Sequence, residues 1–191
     1  RLLHRAGIRV APFKAQNMPL NSFVTPDGGE IGRAQALQAE ACSLAPHVDM
    51  NPILLKPESD ARAQVVVQGR VYSTLDARAY FTRGRNAELF QAVRSSYERL
   101  AAQYDVIVIE GAGSAAEVNL RDRDLVNWAT VELADARVVL VGDIDRGGVF
   151  AQLIGTLDLI APEERARVCG LVINKFRGDS ALFADGVRFL R

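Results

Sequence analysis

The chain has 191 residues, of which 49% are apolar and 24% charged, the composition of one globular domain with its own core. Its 23 basic and 23 acidic residues cancel, so net charge gives no argument for binding nucleic acid or an anionic membrane. No apolar run approaches the ~20 residues that a bilayer crossing needs. We therefore expect a cytoplasmic protein with neither nucleic acid nor membrane as a partner.

Residues 2–7 resemble the last turns of a helix closed by Gly7, and a strand follows at once. A helix that leads into a parallel strand normally follows an earlier strand. We therefore expect a strand, a loop and a helix to precede Arg1.

Four β-branched runs predict parallel strands buried on both faces, because few polar residues interrupt them and helical segments separate them. These runs are residues 8–13, 105–109, 137–141 and 168–173. Two weaker runs, 53–56 and 64–68, are expected to extend the same sheet.

Residues 30–45 carry apolar side chains at helical spacing, and Pro46 ends that helix. Helical patterns also cover residues 75–103, with a break near Gly84, 122–134 and 149–160. The alternation predicts an α/β fold, a mostly parallel sheet with helices on both faces. No repeat or linker divides the chain, so we expect one domain over residues 1–191.

The histidines and cysteines argue against a site of soft metal ligands. Cys42 and Cys169 lie far apart in apolar segments and lack CxxC spacing, so we expect two buried reduced thiols. His4 and His47 are isolated. Any metal ion must then be held by oxygen.

In open α/β sheets, functional loops follow the carboxyl ends of strands. The first strand leads to Lys14, Gln16 and Asn17, and a Gly-Gly-acid loop with Glu30 and Arg33 comes next. Such groups are costly near a sheet edge unless they form hydrogen bonds. A polar ligand is the economical explanation.

The run at 105–109 leads directly into Glu110, placing a carboxylate where P-loop NTPases hold Mg²⁺. Gly111 and Gly113 would let the backbone approach a ligand closely. The alternative is an exposed glutamate before an ordinary glycine turn.

The next strand ends in residues 142–148, where Asp143 and Asp145 are candidates to hold a metal or an attacking group and Arg146 an anion. A capped turn, whose acids complement the helix dipole, explains these residues equally well.

The last strand leads to Asn174 and Lys175, a pair that often contacts the purine in nucleotide-binding domains. A solvated polar loop would look much the same. No Gly-x-x-x-x-Gly-Lys-Ser/Thr or Gly-x-Ser-x-Gly motif occurs, and neither cysteine has the context of a glutaminase nucleophile. Any amide hydrolysis therefore takes place elsewhere.

Five segments in order resemble the amino-terminal synthetase domain of the cobyric acid synthase family, glutamine-hydrolysing amidases of cobalamin biosynthesis. They are residues 10–18, 28–39, 49–57, 108–113 and 143–150. Each is moderately specific, but together they are very specific and span nearly the whole chain.

The resemblance implies a dethiobiotin-synthetase-like P-loop NTPase fold that uses ATP and Mg²⁺ to activate carboxylates of a corrinoid, adenosylcobyrinic acid a,c-diamide. Ammonia from a carboxyl-terminal glutaminase domain would convert the acyl phosphates to amides. The first strand and P-loop of the family, and the glutaminase domain, lie outside these residues. We therefore expect residues 1–191 to be a truncated synthetase domain that is inactive alone.

The resemblance also implies roles for individual residues. Glu110 would bind Mg²⁺, with Glu30 as a second ligand, and Lys14 would neutralise phosphate or a substrate carboxylate. Asn174 would contact the adenine. The remaining expected site residues are Gln16, Asn17 and Arg33 for the substrate, Asp145 and Arg146 for catalysis, and Gly111, Gly113 and Lys175 for the nucleotide.

Two alternatives remain open. A cobyrinic acid a,c-diamide synthase uses the same chemistry, but its segments around residues 14–17 and 51–57 should differ. A non-enzymatic partition or regulatory P-loop ATPase belongs to another functional class, and the polar loop at residues 14–33 argues against it. Specific retention of a corrinoid would separate the classes.

Overall fold

The computed structural model describes residues 1–59, 62–76, 87–121 and 124–190. They form two compact units. Unit 1 contains the described residues of Arg1–Gly113 and Asn119–Ala134, and unit 2 those of Ser114–Val118 and Asp135–Arg191. Among the described residues, no helix has both the length and the apolar character needed to cross a bilayer.

Unit 1 begins with the helix α1, Leu2–Arg5, and the strand β1, Val10–Phe13. The elements that follow are β2 (Gln16–Asn17), β3 (Ser22–Val24), β4 (Glu30–Gly32), α2 (Arg33–Ala41), β5 (Ile53–Ser59), β6 (Arg62–Val67), β7 (Arg70–Asp76), α3 (Ala87–Ala101), β8 (Val106–Ile109) and α4 (Trp128–Leu133). Gly7, with φ of +80°, ends the first helical turn as expected, and its N–H donates to the His4 carbonyl.

The strands β1 and β8 form a parallel pair in which Val10 lies beside Val106 and Phe13 beside Ile109. All four residues of β1 are buried. Phe13 packs edge-on against Tyr97 of α3 in the main core of the unit. The two strands predicted at 8–13 and 105–109 are therefore confirmed.

A second sheet in unit 1 corrects the prediction that residues 53–56 and 64–68 extend the first one. Its order is β2-β5-β6-β7, with β2 and β5 parallel and the other pairs antiparallel. Gln68 and Gly69 both have positive φ and connect Val67 to its partner Arg70 in a tight hairpin turn.

Three predicted helices in unit 1 are shorter than expected. α2 starts at Arg33, because Glu30–Gly32 pairs as β4 with β3. α3 lies within the predicted span 75–103, but residues 75 and 76 belong to the strand β7 instead. α4 covers only residues 128–133 of the predicted span 122–134. The first two residues of that span and the predicted break near Gly84 lie outside the described residues.

Unit 2 contains the strand β9 (Val138–Asp143), the helices α5 (Val149–Leu159) and α6 (Pro162–Arg165), the strand β10 (Val168–Asn174) and the helix α7 (Ala184–Phe189). Short 3₁₀ turns follow β9 at Ile144–Arg146 and precede α7 at Ser180–Phe183. β9 and β10 pair in parallel. The predicted strands at 137–141 and 168–173 and the helix at 149–160 are confirmed.

The expectation that the strands are buried on both faces is wrong for β8, where Val108 is exposed, and for both strands of unit 2. α5 packs against the face of β9 that carries Leu140, whereas Val139, Val141 and Val172 are exposed on the other face. The expectation of two buried thiols is also wrong, because Cys42 is buried but Cys169 is exposed.

Candidate functional site

The carboxyl ends of β1 and β8 bring Lys14 and Glu110 together. Phe13 and Ile109 are register partners, and the Glu110 N–H donates to the Phe13 carbonyl at 2.8 Å. The next side chains therefore meet, and Lys14 Nζ lies 2.6 Å from Glu110 Oε1. The Lys14 side chain is 11% exposed and that of Glu110 42%, so the ammonium is the more enclosed partner.

The helix α2 supplies two amides to the other oxygen of Glu110. Gln38 Nε2 donates to Oε2 at 2.6 Å and Gln35 Nε2 at 3.3 Å. Partial burial raises the pKa of Glu110, but the hydrogen bonds from Lys14, Gln38 and Gln35 and the charge of Lys14 outweigh it, leaving that pKa below its ordinary value. Glu110 is therefore an anion held by three donors.

Gln35 also contacts the expected substrate residue Asn17. Asn17 Nδ2 donates to Gln35 Oε1 at 2.6 Å, and Gln35 is fully buried. This pair fits only because Gly32 has no side chain. A Cβ at that position would lie 2.3 Å from Asn17 Nδ2 and 2.6 Å from Gln35 Oε1. Asn17, Gln35 and Glu110 thus form one hydrogen-bonded row.

Asn51 forms hydrogen bonds to three backbone groups in the same region. Its Oδ1 accepts from the Gly32 N–H at 2.9 Å, and its Nδ2 donates to the carbonyls of Lys14 at 3.1 Å and Ile53 at 2.9 Å. One buried amide therefore ties the end of β1, the start of α2 and the start of β5 together.

Asn51→Ala is expected to destabilise the protein by about 2–4 kcal/mol, because it leaves three buried backbone groups without their partner. The midpoint of urea unfolding measures this effect. Asn21→Ala is the matched control, since Asn21 is exposed. Equal midpoints for the two variants would show that these hydrogen bonds contribute nothing measurable.

Glu30 and Arg33, two further expected site residues, form no hydrogen bond or ion pair with Lys14 or Glu110 among the described residues: Glu30 pairs with Lys56, and Arg33 is exposed. Glu30 Oε1 accepts from Lys56 Nζ at 2.7 Å and from Ser22 Oγ. Partial burial raises the pKa of Glu30, but the bonds from Lys56 and Ser22 outweigh it and the pKa lies below its ordinary value. Arg33 is exposed at the start of α2, and Gln16 pairs with Ile53 in the short strand β2.

The loop after Glu110 is held by Asn127. Asn127 Oδ1 accepts from the Ala112 N–H at 3.0 Å, and its Nδ2 donates to the Ala112 carbonyl at 2.9 Å. A Cβ at Gly111 would lie 2.4 Å from Asn127 Oδ1, and Gly113 has φ of +64°. The close approach of Asn127 explains the glycine at 111, and the left-handed backbone explains the glycine at 113. Neither explanation requires the expected nucleotide contact.

The predicted residues of unit 2 form a charged cluster at the ends of β9 and β10. Asn174 is the register partner of Asp143, and Lys175 Nζ lies 2.7 Å from Asp143 Oδ2 and 4.0 Å from Asp145 Oδ2. Asp143 Oδ1 accepts from the Asp145 N–H at 3.0 Å and so caps the 3₁₀ turn that ends at Arg146. The capped-turn interpretation therefore describes Asp143.

Lys175→Met is expected to raise the pKa of Asp143 toward its ordinary value of about 3.9, because the hydrogen bond from Lys175 is the main cause that lowers it. In the wild type, stabilisation by this carboxylate is complete above about pH 3.9 and is lost as the pH falls through the lower folded-state pKa. NMR titration of the carboxyl carbon measures the shift. An unchanged midpoint in Lys175→Met, matching the exposed control Arg165→Met, would contradict it.

Sequence reasoning missed Gln35, Gln38, Asn51, Lys56 and Asn127. The two glutamines stand three residues apart in a predicted helix, so they share one face, and this spacing was a usable signal. The partners of Asn51 and Asn127 are distant in sequence or belong to the backbone, and no local pattern marks them.

The described residues contain no group of three or more His, Cys, Asp and Glu side chains arranged to hold a metal ion. Mg²⁺ does not require such a group, since it usually keeps several waters and binds one or two carboxylates together with substrate phosphates. An ionised, half-exposed carboxylate such as Glu110 fits that donor chemistry.

A family model described as AAA domain matches residues 32–190. The chain belongs to the AAA domain family. This match, together with parallel strands that alternate with helices, confirms the predicted α/β fold class of P-loop NTPase type. No solved structure gives a significant match.

Two curated relatives of this AAA domain chain are named cobyric acid synthase. One, from Syntrophobacter fumaroxidans (strain DSM 10017 / MPOB), is 57% identical over 190 residues. The other, from Sorangium cellulosum (strain So ce56), is 60% identical over 190 residues. Both alignments cover 100% of this chain but only 37% and 36% of the relatives' length. The predicted resemblance is confirmed.

Proposed function

We propose that the chain is the ATP-using synthetase part of a cobyric acid synthase. The reaction would convert peripheral carboxylates of adenosylcobyrinic acid a,c-diamide to amides, with ammonia derived from glutamine. The observation that carries the proposal is the meeting of Lys14 and Glu110 at the ends of two parallel strands, in a chain 57–60% identical to proteins of that name.

Activation of a carboxylate requires two anions to approach each other. A carboxylate oxygen of the corrinoid attacks the γ-phosphorus of ATP, ADP leaves, and an acyl phosphate forms. Ammonia then attacks the acyl carbon, phosphate leaves, and one proton is lost to give the amide. The protein must therefore neutralise negative charge and align the reactants.

Lys14 is the residue best suited to neutralise that charge. Its ammonium has three N–H donors, and the hydrogen bond to Glu110 uses one of them. Enclosure of the side chain keeps the charge away from bulk water, where its effect on an anion would be weak. We assign Lys14 to the phosphate or to the carboxylate under attack.

Glu110 would hold Mg²⁺, with Gln35 and Gln38 orienting its carboxylate. When bound, the ion would neutralise phosphate oxygens of ATP. Glu30 is proposed as the second ligand, and its carboxylate, like that of Glu110, also accepts hydrogen bonds from neighbouring side chains, here Lys56 and Ser22. In unit 2 we assign Asp145 and Arg146 to the reacting groups.

We assign Asn174 and Lys175 to the adenine, and Gly111 and Gly113 to close backbone approach to the nucleotide. Gln16, Asn17 and Arg33 are proposed to contact the corrinoid, whose carboxylates and amides need both donors and acceptors. The glutaminase is proposed as a further domain of the parent protein, and the cytoplasm as its location.

A timed reaction of the full-length protein with ATP, Mg²⁺, glutamine and adenosylcobyrinic acid a,c-diamide tests the proposal. Mass spectrometry is expected to find successive partially amidated corrinoids, because one site must accept several side chains in turn. No amidated product would overturn the assignment. In a parallel reaction supplied with cobyrinic acid, amidation of that substrate and not of the a,c-diamide would support the a,c-diamide synthase instead. ATP hydrolysis without corrinoid binding would support a regulatory ATPase.

A further inference from the structure

The hydrogen-bonded row Asn17–Gln35–Glu110 joins two groups that the proposed function assigns to different ligands. Glu110 is assigned to Mg²⁺ and Asn17 to the corrinoid. Gln35 lies between them and binds each with one end of a single amide: Nε2 donates to Glu110 Oε2 at 3.3 Å, and Oε1 accepts from Asn17 Nδ2 at 2.6 Å.

The direction of the Gln35 amide is fixed by its two neighbours. An ionised carboxylate only accepts hydrogen bonds, so Nε2 must face Glu110 and Oε1 must face Asn17. Because Gln35 is fully buried, bulk water cannot replace either partner. The amide therefore determines which Asn17 atoms remain for a ligand, namely Oδ1 and the second N–H.

We propose that Gln35 is a positioning residue that couples the corrinoid-facing amide of Asn17 to the carboxylate of Glu110. The inference rests on the proposed function and goes beyond it by naming a residue that touches neither ligand. A change at Gln35 should consequently alter both corrinoid binding and the Mg²⁺ requirement, although its side chain is assigned to neither ligand.

Gln38 provides a matched control. It lies on the same helix and donates to the same oxygen of Glu110 at 2.6 Å. Within the part of the chain that the structure describes, it forms no hydrogen bond to Asn17. Gln38→Met should therefore disturb Glu110 alone, whereas Gln35→Met, which has a similar volume change, should disturb Glu110 and Asn17 together.

The experiment measures two quantities in the full-length protein. Calorimetry without ATP gives the Kd for adenosylcobyrinic acid a,c-diamide, and a Mg²⁺ titration of turnover gives the half-saturating concentration. Gln35→Met should weaken corrinoid binding up to about tenfold, the effect of one lost hydrogen bond. Both variants should raise the Mg²⁺ requirement by about tenfold or more. Gln38→Met should leave the corrinoid Kd unchanged.

A second pair of variants tests the coupling itself. The double variant Asn17→Ala/Gln35→Met should have the same corrinoid Kd as whichever single variant binds more weakly. Both substitutions remove the same Asn17–Gln35 hydrogen bond, so their effects should not add. Combined with Gln38→Met, Asn17→Ala should give the sum of the separate effects. Additive losses in the first pair, or an unchanged corrinoid Kd in Gln35→Met, would overturn the inference.

Gly32→Ala keeps the test decisive if Gln35→Met does not fold. The added Cβ would displace Asn17 Nδ2 and Gln35 Oε1 without removing either side chain. It should weaken corrinoid binding by a similar factor, and unchanged binding would count against the coupling. Failure of the wild type itself to bind or amidate the corrinoid would instead overturn the proposed function.

Discussion

Lys14→Ala in the full-length protein is expected to suppress every amidation step, with turnover lower by about 10²–10³-fold, the usual effect of removing one preorganised charge or donor at a reacting anion. All steps should fall together, because each corrinoid carboxylate would be activated beside the same ammonium. Mass spectrometry of timed samples measures each partially amidated product separately.

Lys14→Met is the control for side-chain volume. It removes the charge but retains most of the buried stem, and Glu110 keeps its bonds from Gln38 and Gln35. Both variants should show the same loss of turnover, while Lys14→Met unfolds at nearly the wild-type temperature. Normal amidation by either variant would contradict the role of Lys14 without affecting the family assignment.

Glu110→Gln is expected to lower Mg²⁺-dependent turnover by about 100-fold or more, because the change removes the formal charge of a hard-cation ligand with little change in volume. It also leaves the enclosed ammonium of Lys14 facing a neutral amide. Turnover measured across a Mg²⁺ titration should show a higher half-saturating concentration and a lower maximum.

Glu40→Gln is a suitable control, since it makes the same chemical change at an exposed position of α2. Thermal unfolding of both variants separates loss of function from loss of fold. If Glu110→Gln keeps wild-type turnover at every Mg²⁺ concentration and wild-type stability, the carboxylate belongs to an ordinary glycine turn, the alternative that its sequence context also allows.

The strands β8, β9 and β10 could be predicted because each carries a run rich in β-branched residues, and β1 because its four residues are all apolar. The second sheet could not be assigned in the same way. β7 mixes polar residues with exposed Val71 and Tyr72, so no alternating pattern distinguishes it from a helix. Its partner β6 ends in three consecutive valines, a pattern that suits a strand of either sheet.

The meeting of Lys14 and Glu110 was predictable from the sequence, because parallel strands bring the residues after their carboxyl ends to one edge. The spacing of Gln35 and Gln38 indicates that they share one face of α2, but not that this face meets Glu110. Whether Gln35 and Gln38 face that edge depends on the rotation of α2, which begins at Arg33 rather than residue 30.

The exposure of Cys169 shows the limit of composition as a guide to burial. It lies in an apolar run, and its thiol donates to the Val138 carbonyl at 3.4 Å, yet the side chain faces outward. An apolar run predicts a strand reliably. How many of its faces are covered depends on the helices that pack there, such as α5 on the Leu140 face.

Among the described residues, the side chains that donate to the Glu110 carboxylate all come from one short stretch of chain. Lys14, Gln35 and Gln38 lie within 25 consecutive positions, whereas Glu110 stands more than seventy positions later. Exchange of that single stretch between homologous genes would therefore transfer the donors as a set and leave the anion in place. We therefore expect that specificity in this family can diverge by replacement of this one segment, without coordinated changes elsewhere in the chain.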